Sequence, residues 1–528
     1  MNADVVVIGA GVNGLVCAAR LAKGGLKPLV LERSDRVGGC AQTVEIAPGF
    51  RTSVLAHRAA IDTRIANELR LERYGLQWVR PEALVHAPAA DGKGLTLWAD
   101  PERAAGEIAP FSEHDARRYP EFLASVTAVC GVLKVALSAP APSIESPGAS
   151  DLLTLLKAGR RFRSLGKANA YRLLRWMPMS VADFAHEWFD SEPLLPAVAA
   201  GGLLGSFVGP RSAGSAAVLL LLAAGDGQPV APGCGVRGGM GALADALAGA
   251  AREAGAEIRT GAEVRRILVR DNKAAGVVLR TGEEIEASLV ISNADPRRTL
   301  LGLVDPVDLP PTFARRIRHV RMRGTLAKIN YAVSSLPGFA SLAGRAERDQ
   351  KAALSGVVRL GPTLDGLERA FDAAKYGRLP DEPWLELSVP SIGSPDLAPD
   401  GQHVVSAYVL FAPYELRGTT WDDAREVLAD RATHVIERHA PGFSRSIVAR
   451  QIITPLDLER EYGLTGGQIF HGELALDQLL VGRPLPDWAR YQTPVPNLYL
   501  CGAGTHPGTG LDGRSGYLAA AEILRTGG

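Results

Sequence analysis

The chain has 528 residues, 46% of them hydrophobic and 22% charged, and its 58 Lys and Arg against 57 Asp and Glu leave a formal net charge of +1. That length exceeds the size at which a single core stops growing, so two or more interleaved domains are expected. The balanced charge offers no field for nucleic acid or for an anionic membrane surface. The scattered Cys17, Cys40, Cys130, Cys234 and Cys501 contain no C-x-x-C pair, which argues against a disulfide reductase and a structural zinc site.

After Asp4, the apolar run Val5-Val6-Val7-Ile8 reads as a buried parallel strand and feeds directly into Gly9-Ala10-Gly11-Val12-Asn13-Gly14. In this G-x-G-x-x-G turn, Gly9, Gly11 and Gly14 let the backbone approach a pyrophosphate, and a helix over about 12–23 points its positive end at the phosphates. A second strand, residues 28–31, ends in Glu32, where a carboxylate accepts hydrogen bonds from an adenosine ribose. Arg33 follows, and then a second glycine pair, Gly38 and Gly39. Because the first strand begins at residue 4, no signal peptide is expected, and the protein reads as cytoplasmic.

Residues 71–100 alternate apolar and polar between turns and predict short antiparallel strands. From about 107 to 225 the patterns are helical, interrupted by a Pro- and Ser-rich loop over 140–150, and this segment is a candidate cap over a substrate. Its least charged stretches, 193–210 and 212–225, approach the length of a membrane span, but Pro193, Pro196, Pro210 and Arg211 break them. They read as buried helices lining an apolar cavity, with a membrane-dipping surface as the other reading. A helical run begins after Gly238-Gly239-Met240-Gly241. It leads into strands near 256–259 and 264–269, a meander over 276–287, and a further buried strand at 289–292.

The C-terminal segment, Leu498-Tyr499-Leu500-Cys501-Gly502-Ala503-Gly504-Thr505-His506-Pro507-Gly508, is a buried strand followed by a glycine-rich crossing. It continues through Asp512 and Gly513 into an apolar helix over 517–524. This signature resembles that of bacterial phytoene desaturases. The acid-then-Gly-Gly pattern at Glu32 and Gly38-Gly39 resembles two-domain flavoproteins of the amine oxidase and carotenoid desaturase kind. The stretch 466–479 resembles the branch of that superfamily named for pyridine nucleotide-disulfide oxidoreductase domain-containing protein 2. The likeness is strongest at 1–45, 232–297 and 452–522, and weakest in the cap.

The resemblance implies an α/β fold, a Rossmann-like FAD-binding domain of the glutathione-reductase type with an inserted α+β substrate domain that carries the helical cap. The FAD domain would draw on 1–70, 230–300 and 490–528, and the substrate domain on 71–229 and 301–489. It also implies one noncovalent FAD, held by Gly9, Gly11, Gly14, Glu32, Arg33, Gly38, Gly39, the backbone of Val264, Gly502, Asp512 and Gly513. Many relatives carry an acid directly after the residue matching Gly502, where this chain has Ala503, so backbone amides and Asp512 must take over the ribityl contacts.

A flavin carries its own redox chemistry, so the protein need only orient substrate and exclude water, helped by a helix N-terminus near 511–516 aimed at the reduced ring. If a base is present, His471 and His506 are the candidates, since histidine alone titrates near neutrality unaided. Lys328, in an alternating strand over 325–333, reads either as a lysine near the flavin, as in some amine oxidases, or as a side chain on the solvent face of its strand. The expectation is an FAD-dependent oxidoreductase that desaturates a small apolar, polyene- or lipid-like substrate. Peripheral membrane contact is left open, and no nucleic-acid partner or metal is expected. An amine oxidase and a flavoprotein acting through protein partners stand as the other readings.

Overall fold

Val5, Val6 and Val7 are each at most 1% exposed because their strand, Asn2–Ile8, lies inside a parallel sheet covered on both faces. The computed structural model describes residues 2–89, 92–143, 147–226, 229–231, 233–361 and 363–527. Across the sheet the parallel strands run Glu257–Arg259, Pro28–Leu31, Asn2–Ile8, Glu284–Ser292 and Leu498–Leu500. The first half of Glu284–Ser292 also pairs with an antiparallel meander, Val264–Arg270 and Lys273–Leu279. Val5 and Val7 face the helices Val12–Lys23, Met240–Glu253 and Arg514–Thr526, whereas Val6 and Ile8 face a second cluster containing Leu300, Phe313 and Ile317. One sheet is thus assembled from three distant parts of the chain.

A second, seven-stranded sheet has the order Ile447–Ile453, Leu326–Val333, His403–Leu410, Leu385–Ser388, Val357–Leu360, Ala83–Pro88 and Gly94–Trp98. All its pairings are antiparallel except that between Val357–Leu360 and Ala83–Pro88. Helices from Pro101–Ile108 to Ser215–Asp226 pack near it around Trp98, Phe122, Trp176, Phe184 and Trp188. The 25-residue helix Glu113–Leu137 is long and apolar enough to cross a bilayer, but here it supplies Tyr119, Phe122, Val126, Val129 and Leu133 to that core.

Two expectations change and one holds. In the Pro- and Ser-rich interruption, residues 144–146 lie outside the described residues, and a helix, Ala149–Ser164, already begins before its expected end. The charge-poor stretch after Pro193 forms buried helices as expected, with Leu194, Leu195, Val198, Leu219 and Leu220 in the core. Lys328 is not on a solvent face: every residue of Leu326–Val333 is buried, and Lys328 is 0% exposed. Both faces of that strand are covered, so alternation along it carries no information about exposure.

Candidate cofactor and substrate site

The carboxyl ends of the parallel strands, where ligands of open α/β sheets bind, open into one cavity with about 2090 Å³ of empty space including its mouth. Its wall contains Gly9, Gly11, Glu32, Arg33, Gly38, Gly39 and Cys40 from the first part of the chain, Val264 and Asn293 from the second, and Ala503 and 509–512 from the third.

Gly14 and Gly502 shape the site from behind the wall. A Cβ on Gly14 would lie 2.2 Å from the Gly9 carbonyl, and one on Gly502 would lie 2.5 Å from the Asn293 carbonyl and 3.0 Å from His471 Nδ1. Either side chain would push the glycine turn and the C-terminal crossing away from the sheet. Glu32 is buried, and its carboxylate accepts from the amides of Ala10 (2.8 Å) and Ser34 (2.9 Å), which fixes it at the cavity edge. Arg33 reaches the carbonyl of Glu461, and burial pulls its pKa down, with Arg298 nearby pushing the same way.

Asp512 belongs to a buried network as well as to the wall. Its carboxylate accepts from the Arg514 amide (2.8 Å), from the Thr509 hydroxyl and from the Arg514 guanidinium (3.2 Å). Arg514 also donates to Asp62 (2.9 Å) and to the Gly225 carbonyl (2.7 Å), joining the FAD sheet to the cap. Although burial opposes ionisation, hydrogen bonds from Arg64 and Arg514 hold Asp62 down at about 2. Gly513 caps the last helix at φ +74°. That helix begins at Arg514, and two of its first amides are taken by Asp512 and by the Asn13 side chain (3.3 Å). The N-terminus expected to face the flavin ring is therefore partly spent within the protein.

The two candidate histidines separate. His471 lines the cavity at φ +58°, and its Nδ1 is buried with no hydrogen-bond partner among the described residues. Burial lowers its pKa, only partly offset by Asp295. His506 is absent from the wall. Its Nε2 donates to the carbonyls of Ala136 (3.2 Å) and Ala139 (3.0 Å) at the end of the long cap helix, and burial brings its pKa down to about 4. It ties the C-terminal crossing to the cap and is a positioning residue.

Lys328 stands behind the wall, donating from Nζ to the carbonyls of Ser53 (2.6 Å) and Leu55, 5.7 Å from the Tyr408 ring centroid. Burial holds its pKa well below the ordinary value. Tyr408 in turn packs on His57, with ring centroids 4.3 Å apart, and both line the cavity. Gly238–Gly241 stays off the wall and packs on Thr43 instead, with the Gly241 amide donating to its hydroxyl (2.9 Å).

Sequence reasoning missed two wall residues, Asn293 and Arg359, and Arg483 behind the wall. Asn293 crosses the glycine turn, since a Cβ on Gly11 would lie 2.8 Å from its Nδ2. Arg359 pairs with Glu386 at 2.9 Å on the far wall. Arg483, fully buried and brought to about 9 by burial, donates to the carbonyls of Ala503 (2.9 Å), Gly472 (3.1 Å) and Phe470. It thereby clamps the His471 turn to the C-terminal crossing. Asn293 was findable: it directly follows a strand that pairs in parallel with the first, and so lies at the same sheet edge.

A cavity at the carboxyl edge of a parallel sheet, with a glycine turn, a carboxylate fixed by two amides and a glycine-rich C-terminal crossing on one wall, fits FAD. It defines an FAD-dependent oxidoreductase of the amine oxidase and desaturase superfamily. The chain belongs to the flavin containing amine oxidoreductase family, whose sequence profile matches residues 194–524, and the profile of NAD(P)-binding Rossmann-like domains matches 7–69. It is 37% identical over 546 residues to pyridine nucleotide-disulfide oxidoreductase domain-containing protein 2 of Rattus norvegicus, covering 99% of this chain and 93% of that protein. It is 26% identical over 531 residues to a phytoene desaturase (lycopene-forming) of Pantoea ananas, covering 98% of each. A solved structure of putrescine oxidase superposes with a TM-score of 0.61 at 17% identity, covering 99% of both chains, which is a likeness of fold.

Proposed function

We propose that this oxidoreductase dehydrogenates an uncharged, largely apolar molecule, with FAD held noncovalently. When bound, FAD supplies the two-electron acceptor. The observation that carries the reading is that each carboxylate on the wall is already engaged. Glu32 is held by two amides, Glu263 by Arg280 (3.1 Å), Asp295 by the Thr465 hydroxyl (2.7 Å) and the Arg298 amide (2.9 Å), Glu386 by Arg359 (2.9 Å), and Asp512 by Arg514 (3.2 Å). An ammonium entering the cavity would have to compete with arginines for Glu263, Glu386 and Asp512 and with amide and hydroxyl donors for Glu32 and Asp295, and burying a cation without a full partner is costly.

The wall also carries an apolar part, with Ala200, Leu204 and Leu222 from the cap, Val357 from the second sheet, and Leu55 and Ala231 beside them. These side chains exclude water and orient an apolar body. Lys328 fixes the carbonyls of Ser53 and Leu55 and so sets the position of the 55–60 wall. The Pantoea ananas relative, named for desaturating a polyene, agrees with this reading.

The test is anaerobic flavin bleaching of the purified protein with one panel of polyenes and terpenoid hydrocarbons and another of primary and secondary amines. Bleaching by members of the first panel alone is expected. Bleaching by amines alone would assign an amine oxidase. A flavin that neither panel reduces, but that reoxidises normally after dithionite, would assign a protein acting through partners.

A further inference from the structure

Within the cap, the helix Ala149–Ser164 touches the body of the protein along one narrow stripe. Asp151 is buried and pairs with Arg490 at 2.9 Å, and Thr154, Ala158 and Phe162, three and four residues apart, are half-buried. The other described side chains of the helix face solvent. Leu152, Leu153, Leu155 and Leu156 are 52%, 58%, 50% and 63% exposed, and the next helix, Gly166–Trp176, adds the exposed Tyr171 and Leu174. Scattered exposed leucines are ordinary, but four within five residues make a contiguous apolar patch, which marks an interaction surface.

The charges beside the patch say what covers it. Lys157, Arg160, Arg161, Arg163 and Lys167 are exposed and form no ion pair among the described residues, and the one acid between 149 and 167 is the buried Asp151. The chain as a whole is nearly neutral, so five unopposed cations along one exposed segment are a local concentration that the overall balance averages away. A second copy docking about a two-fold axis would bring like charges together, and a nucleic acid would leave the leucines in water. A bilayer carrying anionic lipid satisfies both halves. Leucines enter the acyl boundary, and long basic side chains extend to the headgroups.

We propose that Ala149–Ser164 and the start of the helix after it form a docking face for an anionic membrane surface. The holoprotein is expected to co-sediment with vesicles of phosphatidylcholine and phosphatidylserine in equal parts, and at least tenfold more weakly with phosphatidylcholine alone, because each cation near an anionic surface contributes about fivefold in partitioning. Leu152→Glu with Leu156→Glu should lower binding to the mixed vesicles at least tenfold. Their side chains are exposed, so FAD content and thermal unfolding should stay unchanged. Arg160→Gln with Arg163→Gln should lower binding to the mixed vesicles and leave binding to phosphatidylcholine as it was. Wild-type protein that sediments with neither vesicle, or a leucine double variant that binds as wild type does, would overturn the proposal. A concentration-dependent dimer lost in the leucine variant would give the face to a second copy instead. FAD content is read in every arm, so a colourless protein would count against the flavoenzyme reading and not against the docking face.

Discussion

Replacing Arg514 by Met keeps most of the side-chain volume and removes the charge at the junction of the FAD sheet, the 509–512 wall and the cap. Arg514 is 1% exposed, and Asp62 and Asp512 are 3% and 2% exposed, so the change takes one cationic partner from each of two buried carboxylates and leaves Asp512 with none. Asp62 retains Arg64 (3.2 Å), while Asp512 keeps only the Thr509 hydroxyl and one amide. Breaking a buried pair on one side costs about 3–5 kcal/mol. With about 2 cal/mol/K per residue of unfolding entropy, a chain of 528 residues should lose roughly 3–5 °C in melting temperature. The assay is thermal unfolding followed by far-ultraviolet circular dichroism and by flavin fluorescence, with FAD content measured on the same samples. Because Asp512 lines the cavity, the fluorescence transition should fall further than the dichroism transition. Adding Asp512→Asn to Arg514→Met should restore part of the loss, since it removes one stranded charge while keeping an acceptor for the Arg514 amide. A single variant that melts within about 1 °C of wild type, below the scale expected for a broken buried pair, would refute the assigned role of the network, as would a double variant less stable than the single.

Gly14→Ala should abolish FAD retention, because its Cβ would lie 2.2 Å from the Gly9 carbonyl; a yellow variant with wild-type FAD content would contradict the placement of the glycine turn. Glu32→Ala leaves the amides of Ala10 and Ser34 without their acceptor and should weaken FAD binding by about 1.5–3 kcal/mol, measured by titrating apoprotein with FAD; unchanged affinity would remove Glu32 from the site. His506 has a pKa of about 4 in the fold against about 6.5 unfolded, so its contribution is complete above pH 6.5 and is lost as pH falls toward 4, because the unfolded chain takes up the proton first. His506→Gln should therefore flatten the stability profile over that window by up to about 1.4 kcal/mol per pH unit; parallel denaturation profiles for the two proteins would show that His506 is not held neutral.

The FAD site was legible where its chemistry is local in sequence. Val5–Gly14 and Glu32 needed only an apolar run, three glycines and an acid at strand spacing, and the structure brings Gly9, Gly11, Glu32, Val264 and Asp512 to one wall. What stayed hidden depends on which face a neighbour covers. Lys328 sits on a strand flanked by two others and packed on both sides, so period-two reasoning had no solvent face to find. His506 lies in the most recognisable motif of the chain, yet its ring is drawn to Ala136 and Ala139, some 370 residues away in sequence. Hydrophobicity alone does not say whether Leu152, Leu153, Leu155 and Leu156 face core or solvent. Only the narrow buried stripe of Asp151, Thr154, Ala158 and Phe162 shows that they point outward.

The order of strands in the parallel sheet has a consequence for how the protein is made. Glu284–Ser292 fills the place beside Asn2–Ile8, and Leu498–Leu500 then pairs with it. Ribosomes release the N-terminal glycine turn first, but that turn waits until Glu284–Ser292 is made for the strand that brings Asn293 across it, and longer still for the crossing that carries Ala503 and Asp512. A nascent chain stalled before residue 498 would thus display half of a nucleotide cradle and be unable to close it. Cofactor loading becomes a late checkpoint, passed only by chains in which synthesis has run past Leu498–Leu500 and Arg514–Thr526.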